Sequence, residues 1–448
     1  MEVIKPSFEM SVESASIQND SITVITTGAK YIIHTSGERG VISCWQRINK
    51  ERLLGQIEFT HSLKGTTIEK NTSQSCMLQY FSGIGCYWLK MQINADGVLE
   101  MHASARETDM KLSITGDFLP ELCENKDGNY LFADDFGGIG FFPQRGYSGR
   151  VSHSFTDRLK WKINYRMNAT HPRLFVSVFP PRKFNNDLFA ETKNKGIVMY
   201  GYSSAILKDI EFYDLPYPSD DEITKASTLG SVFVLFLQFN KGRLTGKNAD
   251  NTKIRETQPD ASYSSPFFLP INEKELSRVI KKAHSAGMSV LPYLSPYHSM
   301  AQGTDFLDLA QNTLSTYGFD GVYFDGLSPD VLDAYNMIRG LRNILGSKTL
   351  FLHTSIDPFE SDIITAPFIH AYADFVLRGE FKSAPDDVFL KYSVSGYNTS
   401  GTINYACTPI FSPDTVRELI KKMNTHKFRL VYGMPEGECE KIVRESIV

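Results

Sequence analysis

Short runs of β-branched and aromatic residues, partly alternating with polar ones, fill the first part of the chain. SITVITTG (21–28), KYIIHTSG (30–37), CYWLKMQI (86–93) and GVLEMHAS (97–104) are of this kind. Such alternation predicts strands buried on one face and wetted on the other. Gly, Asn and Asp separate the runs, and NADG (94–97) and NKDG (125–128) have the composition of tight hairpin turns. No stretch up to about residue 185 carries a clear helical period, which predicts an N-terminal antiparallel β-sandwich over residues 1–185.

The pattern then changes to strands alternating with helices, the mark of βα units around a parallel sheet. Eight candidate strands follow: 197–204, 231–240, 289–297, 319–326, 349–355, 373–380, 402–408 and 428–433. The clearest helix is EKELSRVIKKAHSAG (273–287), where Leu276, Val279, Ile280 and Ala283 recur at helical spacing before Gly287. DFLDLAQNTLSTYG (305–318) and SPDTVRELIKKM (412–423) repeat the pattern. Eight strands in this length predict a (β/α)8 TIM-type barrel over residues 186–448. One connection, 241–265, is long, polar and aperiodic, as lids and binding loops are. It follows a strand's C-terminal end, the face on which barrel sites lie.

Composition narrows the function. A chain of 448 residues exceeds one hydrophobic core, and its 42% hydrophobic and 22% charged residues are those of an ordinary globular protein. A formal net charge of −4 argues against a nucleic-acid partner, and no apolar run is long enough to span a membrane. The opening MEVIKPSFEM lacks a signal-peptide pattern, so the expected compartment is the cytoplasm, or the periplasm or exterior if a leader has been removed. Cys44, Cys76, Cys86, Cys123, Cys407 and Cys439 have no metal-ligand spacing, and neither metal nor cofactor is expected. No GxGxxG turn is present, and GMPEGEC (433–439) has acids where a phosphate-binding loop would not.

Strand parity places the candidate chemistry. In FDGVYFDGL, Val322 and Phe324 form a helix-facing row, leaving Gly321, Tyr323 and Asp325 inward, with Asp325 at the mouth. Asp320 lies roughly 16 Å lower at about 3.3 Å per residue and belongs to the floor. In ADFVLRGE, Phe375 and Leu377 are assigned to the helix-facing row. Asp374, Val376, Arg378 and Glu380 are then inward, with Glu380 at the mouth. Asp325 and Glu380 so converge on one rim. A nucleophile or general base and a protonated acid are what glycoside hydrolysis requires; acids at strand ends also solvate rims and cap helices. Arg378 lowers the pKa of Glu380, pairs with Asp325 and holds it ionised, or forms a structural ion pair inside the barrel. Further candidates for substrate contact are Gln238, Asn240, Tyr297, His298, Tyr323 and His353, with Tyr397 and Asn398 in the loop SGYNTSGT before the seventh strand.

GFDGVYFDG (318–326) resembles the nucleophile strand of retaining glycoside hydrolases in the α-galactosidase (melibiase) and α-glucosidase superfamilies. RLFVSVFPPRKF (173–184) and YPSDDEI (217–223) are similar to segments of glycoside-hydrolase-like proteins. The resemblance implies a β-sandwich before a (β/α)8 barrel, a nucleophile after strand four and an acid/base after strand six, mapping to Asp325 and Glu380. Melibiases usually carry Lys-Trp-Asp where this chain has Tyr-Phe-Asp, and an Asp acid/base where it has Glu380. Galactose specificity therefore does not transfer, and α-linkage is favoured. The expected function is O-glycoside hydrolysis of a carbohydrate substrate. The alternatives are a non-catalytic carbohydrate-binding protein on the same fold, or a sugar isomerase or lyase.

Overall fold

In Ser21–Thr26 the positions Ile22, Val24 and Thr26 are buried while those between are partly exposed, the period of a half-buried strand. This and fifteen similar strands form two eight-stranded sheets whose paired strands are antiparallel. In spatial order the first holds Val12–Gln18, Ser21–Thr26, Ala29–His34, Val41–Gln46, Arg52–Phe59, Met110–Gly116, Lys160–Met167 and His153–Asp157. The second holds Leu122–Lys126, Asn129–Asp134, Gly137–Pro143, Arg173–Phe179, Val98–Ser104, Trp88–Asn94, Ser75–Phe81 and Thr67–Asn71. The computed structural model describes residues 10–81, 88–104, 110–126, 128–144, 153–157, 160–168, 170, 172–191, 196–200, 217–235, 270, 272–296, 305–328, 330–354, 366–378, 386–394, 397–404, 412–432 and 437–447.

The two sheets share one core. Trp161 of the first stacks on Phe132 of the second, with ring centroids 3.9 Å apart and planes within 7°. Gly116 makes room for that indole: a Cβ there would lie 1.8 Å from Trp161 Cε2. The predicted NADG turn forms, and Gly97 takes a φ of +76° that disfavours any side chain.

Eight parallel strands then close into a barrel: Gly196–Tyr200, Gly230–Leu235, Ser289–Leu294, Gly321–Asp325, Thr349–His353, Phe375–Leu377, Ser400–Asn404 and Phe428–Tyr432. Helical segments separate successive strands wherever the connections are described. In Glu273–Ser285, Leu276, Val279, Ile280 and Ala283 are the buried face, capped by Asn272. Asp305–Tyr317 and Pro413–His426 are also helical. The 241–265 connection lies outside the described residues.

Every second strand residue packs inside the barrel, including Met199, Val234, Leu291, Tyr293, Tyr323 and Phe351. Val322, Phe324, Leu350 and Leu352 pack outward among the helices. The fourth strand follows the predicted parity and the sixth reverses it. Phe375 and Leu377 lie in the interior cluster, while Val376 joins the helix-facing one.

Two acids brace the N-terminal end of the barrel in the same way. Asp320 Oδ2 accepts from Val290 N (2.7 Å) and meets His284 Nε2 (2.8 Å). Asp374 Oδ2 accepts from Leu350 N (2.7 Å) and Arg342 Nη2 (2.8 Å). Each carboxylate ties the start of its own strand to the preceding strand and to a helix side chain, the His284 imidazole for Asp320 and, in a charge-assisted bond, the Arg342 guanidinium for Asp374. Below them the helix Asn186–Glu191 approaches the floor. Arg429 Nη2 donates to Phe189 O (2.6 Å), and its guanidinium lies 3.7 Å from the centre of the Phe189 ring.

The outer face of the second sheet docks on the barrel helices. Phe142 meets Phe368 (5.1 Å), Phe175 meets Tyr335 (6.4 Å), and Phe179 meets Tyr397 (5.2 Å). Asp96, at the NADG turn, is wholly buried there and accepts from the Tyr335 and Tyr372 hydroxyls at 2.6 Å each. Burial raises its pKa, and the two tyrosine hydrogen bonds only partly counter this. Among the described residues no helix is long and apolar enough to cross a membrane.

Candidate active site

The barrel interior is layered, and its upper two layers define the site. Tyr293 and Tyr323 are ladder partners on the third and fourth strands, with rings 5.5 Å apart and 25° from parallel. Phe351 on the fifth strand meets Tyr323 edge-on at 4.7 Å. This aromatic layer leaves Tyr293 and Tyr323 only 1% and 2% exposed, which excludes water from beneath the site. One step higher, Asp325 and His353 are ladder partners at the C-terminal ends of the fourth and fifth strands. Their side chains are 14% and 7% accessible.

Both oxygens of the Asp325 carboxylate are engaged. Tyr293 Oη donates to Oδ2 at 2.5 Å, and His353 Nδ1 lies 2.8 Å from Oδ1. An ionised carboxylate only accepts, so the hydrogen-bond network assigns the proton to His353 Nδ1. The Tyr323 hydroxyl oxygen, 3.0 Å from that same nitrogen, is then placed to share its proton as an acceptor. Donors on each oxygen favour the charged form and fix the carboxylate plane. This arrangement gives an oriented carboxylate on a dry aromatic floor, beside an imidazole whose Nδ1 is committed.

Of the residues expected at the mouth, the structure brings together Asp325, Tyr323 and His353. Glu380, Gln238, Asn240, Tyr297 and His298 lie outside the described residues. Arg378 continues the sixth-strand ladder through a bond from its amide to Thr402 O (3.1 Å), on the parity of the helix-facing Val376. It is 4% exposed. Its charge, second to burial, pushes His370 down to about 3. Arg378 thus takes the helix-facing side of the strand and not the inward place parity had assigned.

Tyr397 and Asn398 are at the other end of the barrel. A segment that enters a parallel strand lies at its N-terminal end, and Tyr397 Oη donates to Asp134 O (2.9 Å) in the second sheet. Asn398 is 1% exposed. Tyr293 is the residue that sequence reasoning missed. It lies inward and one layer below Asp325 on the third strand, and the length of a tyrosine carries its hydroxyl to the carboxylate. Among the described residues no cluster of His, Cys, Asp and Glu is arranged to hold a metal ion.

No protein-family model matches this chain, and no curated protein does. Solved structures similar to it include the GH31 dextranase of Flavobacterium johnsoniae complexed with glucose, at 9% identity and a TM-score of 0.38, covering 98% of this chain and 68% of that one. The cycloalternan-forming enzyme of Listeria monocytogenes, in complex with a pentasaccharide substrate, has 9% identity and a TM-score of 0.43, covering 98% and 53%. The spore cortex-lytic enzyme SleL of Bacillus megaterium has 12% identity and a TM-score of 0.35, covering 62% and 77%. This chain spans about half the length of the Listeria enzyme. At such identities the chemistry has to be argued from the chain's own residues.

Proposed function

We propose that this chain is a glycoside hydrolase whose nucleophile is Asp325. The observation that carries the reading is the carboxylate itself, at the C-terminal end of the fourth barrel strand with a tyrosine and an imidazole donor on its two oxygens. A carboxylate attacking an anomeric carbon must be ionised and aimed, and these donors serve both needs. In the reaction Asp325 forms the bond to the anomeric carbon as the glycosidic C–O bond breaks, and an acid protonates the departing oxygen. Water then releases the sugar. Glu380, which shares the sequence parity of Val376 and Arg378 and so loses the inward place first assigned to it, is proposed as that acid on the resemblance to retaining glycosidases alone, which sets an acid/base after strand six and also favours an α-linkage. We propose Gln238, Asn240, Tyr297 and His298 as rim contacts to the sugar. The working division of the chain is a β-sandwich to about residue 185 and a (β/α)8 TIM-type barrel beyond it.

A panel of aryl α- and β-glycosides tests this. The wild type should hydrolyse at least one, and Asp325→Asn should lower that rate by about a hundredfold or more, roughly 3 kcal/mol of transition-state stabilisation. Sugar binding without turnover across the panel, or full activity in the variant, contradicts it.

The 2.8 Å contact between His353 and Asp325 also favours a second reading. There Asp325 orients the imidazole, and His353 Nε2 removes a proton next to a sugar carbonyl, as an isomerase or lyase requires. Exchange of a substrate carbon-bound proton with D2O, without glycoside hydrolysis, would decide for it.

A further inference from the structure

The outer face of the second sheet is covered unevenly. At its centre Phe175 packs beneath the barrel helices. Three strands away on the same sheet, Phe81 is 65% exposed, and its cross-strand partner Trp88 is half-buried beside it. The core is not what requires these rings, because Tyr80 and Leu89 fill the opposite face of the same strands. Two large aromatics side by side on a wetted sheet face are the exception that calls for a ligand.

Their surroundings define its chemistry. His102 meets the Trp88 ring edge-on at 5.1 Å and 78°, so the indole is held in place by packing. Lys90 Nζ lies 5.4 Å from the ring centre, an exposed contact that a ligand can displace. Beside the rings run two cross-strand polar rows, Gln79–Lys90–His102–Arg173 and Gln92–Glu100. They offer both donors and acceptors, and among the cations lies Glu100, whose pKa burial raises and Arg173 and Arg339 partly lower. A polyanion would call for one sign of charge, and an anionic membrane for a basic rim around a wider apolar area. A sugar ring needs an aromatic surface for its C–H face and mixed amides, acids and cations for its hydroxyls.

We propose that the Phe81–Trp88 face is a non-catalytic binding site for a neutral polysaccharide chain, separate from the barrel mouth. It binds through stacking on the two rings, with Lys90, Gln92 and His102 bonding to hydroxyls. The site stands whether or not the barrel hydrolyses glycosides.

Affinity electrophoresis of the full chain in gels containing dextran, starch, xylan or galactomannan tests it. Retardation by at least one is expected, and Trp88→Ala should weaken that binding about tenfold or more. Asp325→Asn should leave it unchanged, and hydrolysis of a small aryl glycoside, where present, should be unaffected by Trp88→Ala. Phe81→Ala, at an exposed position, provides a second reading should Trp88→Ala fail to fold. The proposal is overturned if no gel retards the wild type, or if retardation follows Asp325 and ignores both aromatics. A concentration-dependent dimer abolished by Phe81→Ala, without polysaccharide binding, would assign the face to a second copy of the chain and overturn it as well.

Discussion

Tyr293→Phe removes one oxygen atom and keeps the ring that stacks on Tyr323. The lost group is the donor 2.5 Å from Asp325 Oδ2, and the side chain is 1% exposed, so bulk water cannot replace it from below. A hydrogen bond to a charged group contributes about 1.5–3 kcal/mol. Because it favours the ionised form, its loss raises the pH at which Asp325 gives up its proton. The acidic limb of kcat/KM should therefore move upward. Well above that limb the carboxylate is ionised in either protein, and the plateau should fall much less than in Asp325→Asn. The assay is the pH–rate profile of the best aryl glycoside, measured on both proteins with circular dichroism as a check on folding. An acidic limb that stays in place in a folded variant would show that Tyr293 does not act on the reacting group.

His353→Asn keeps a donor near the position of Nδ1 and should retain more of kcat than His353→Leu, with KM changing less than kcat in both; equal losses would make His353 purely structural. Asp96→Ala leaves the buried Tyr335 and Tyr372 hydroxyls without their acceptor. At about 1–3 kcal/mol for each orphaned group, it should lower the urea midpoint clearly. Burial holds Asp96 above its unfolded pKa, so its protonated form favours folding at low pH, and that contribution fades as pH rises through the folded value. Asp96→Asn should flatten this dependence, and an unchanged stability–pH curve would refute it. Gly116→Ala would drive a methyl into Trp161 and should cost about 1–3 kcal/mol by calorimetry.

All eight barrel strands were legible in the sequence because most are apolar runs set between helical periods; the seventh, Ser400–Asn404, has a single large apolar residue and was found from the segment TINYACT that overlaps it. A contrast between charged and apolar rows gave the side-chain direction in the fourth strand and misled in the sixth, because a barrel interior is itself apolar. In GVYFD the inward row ends in an acid and the outward row is Val322 and Phe324, so parity resolved it. In ADFVLRGE the charged row of Asp374, Val376, Arg378 and Glu380 was read as facing the site and the apolar Phe375 and Leu377 as facing the helices; yet Asp374 serves Leu350 N and Arg342, outside the interior, and the apolar row fills the barrel. Tyr397 was misplaced because proximity to a strand in sequence does not say which end of the barrel a loop joins. Tyr293 was overlooked because weight fell on residues at strand ends, whereas a long side chain lower in the strand reached the same point. The docking of the second sheet on the barrel, through Asp96 and Phe175, has no local signature in the sequence and emerges only when distant segments meet.

The central claim is that Asp325 forms a bond to the sugar. Its most direct test is mass spectrometry after reaction with a 2-deoxy-2-fluoro glycosyl fluoride matched to the glycoside hydrolysed fastest. The account predicts inactivation with one added glycosyl unit, mapped to Asp325 and absent in Asp325→Asn. Inactivation with the label on another residue, or an unlabelled wild type that hydrolyses the parent glycoside, would contradict it.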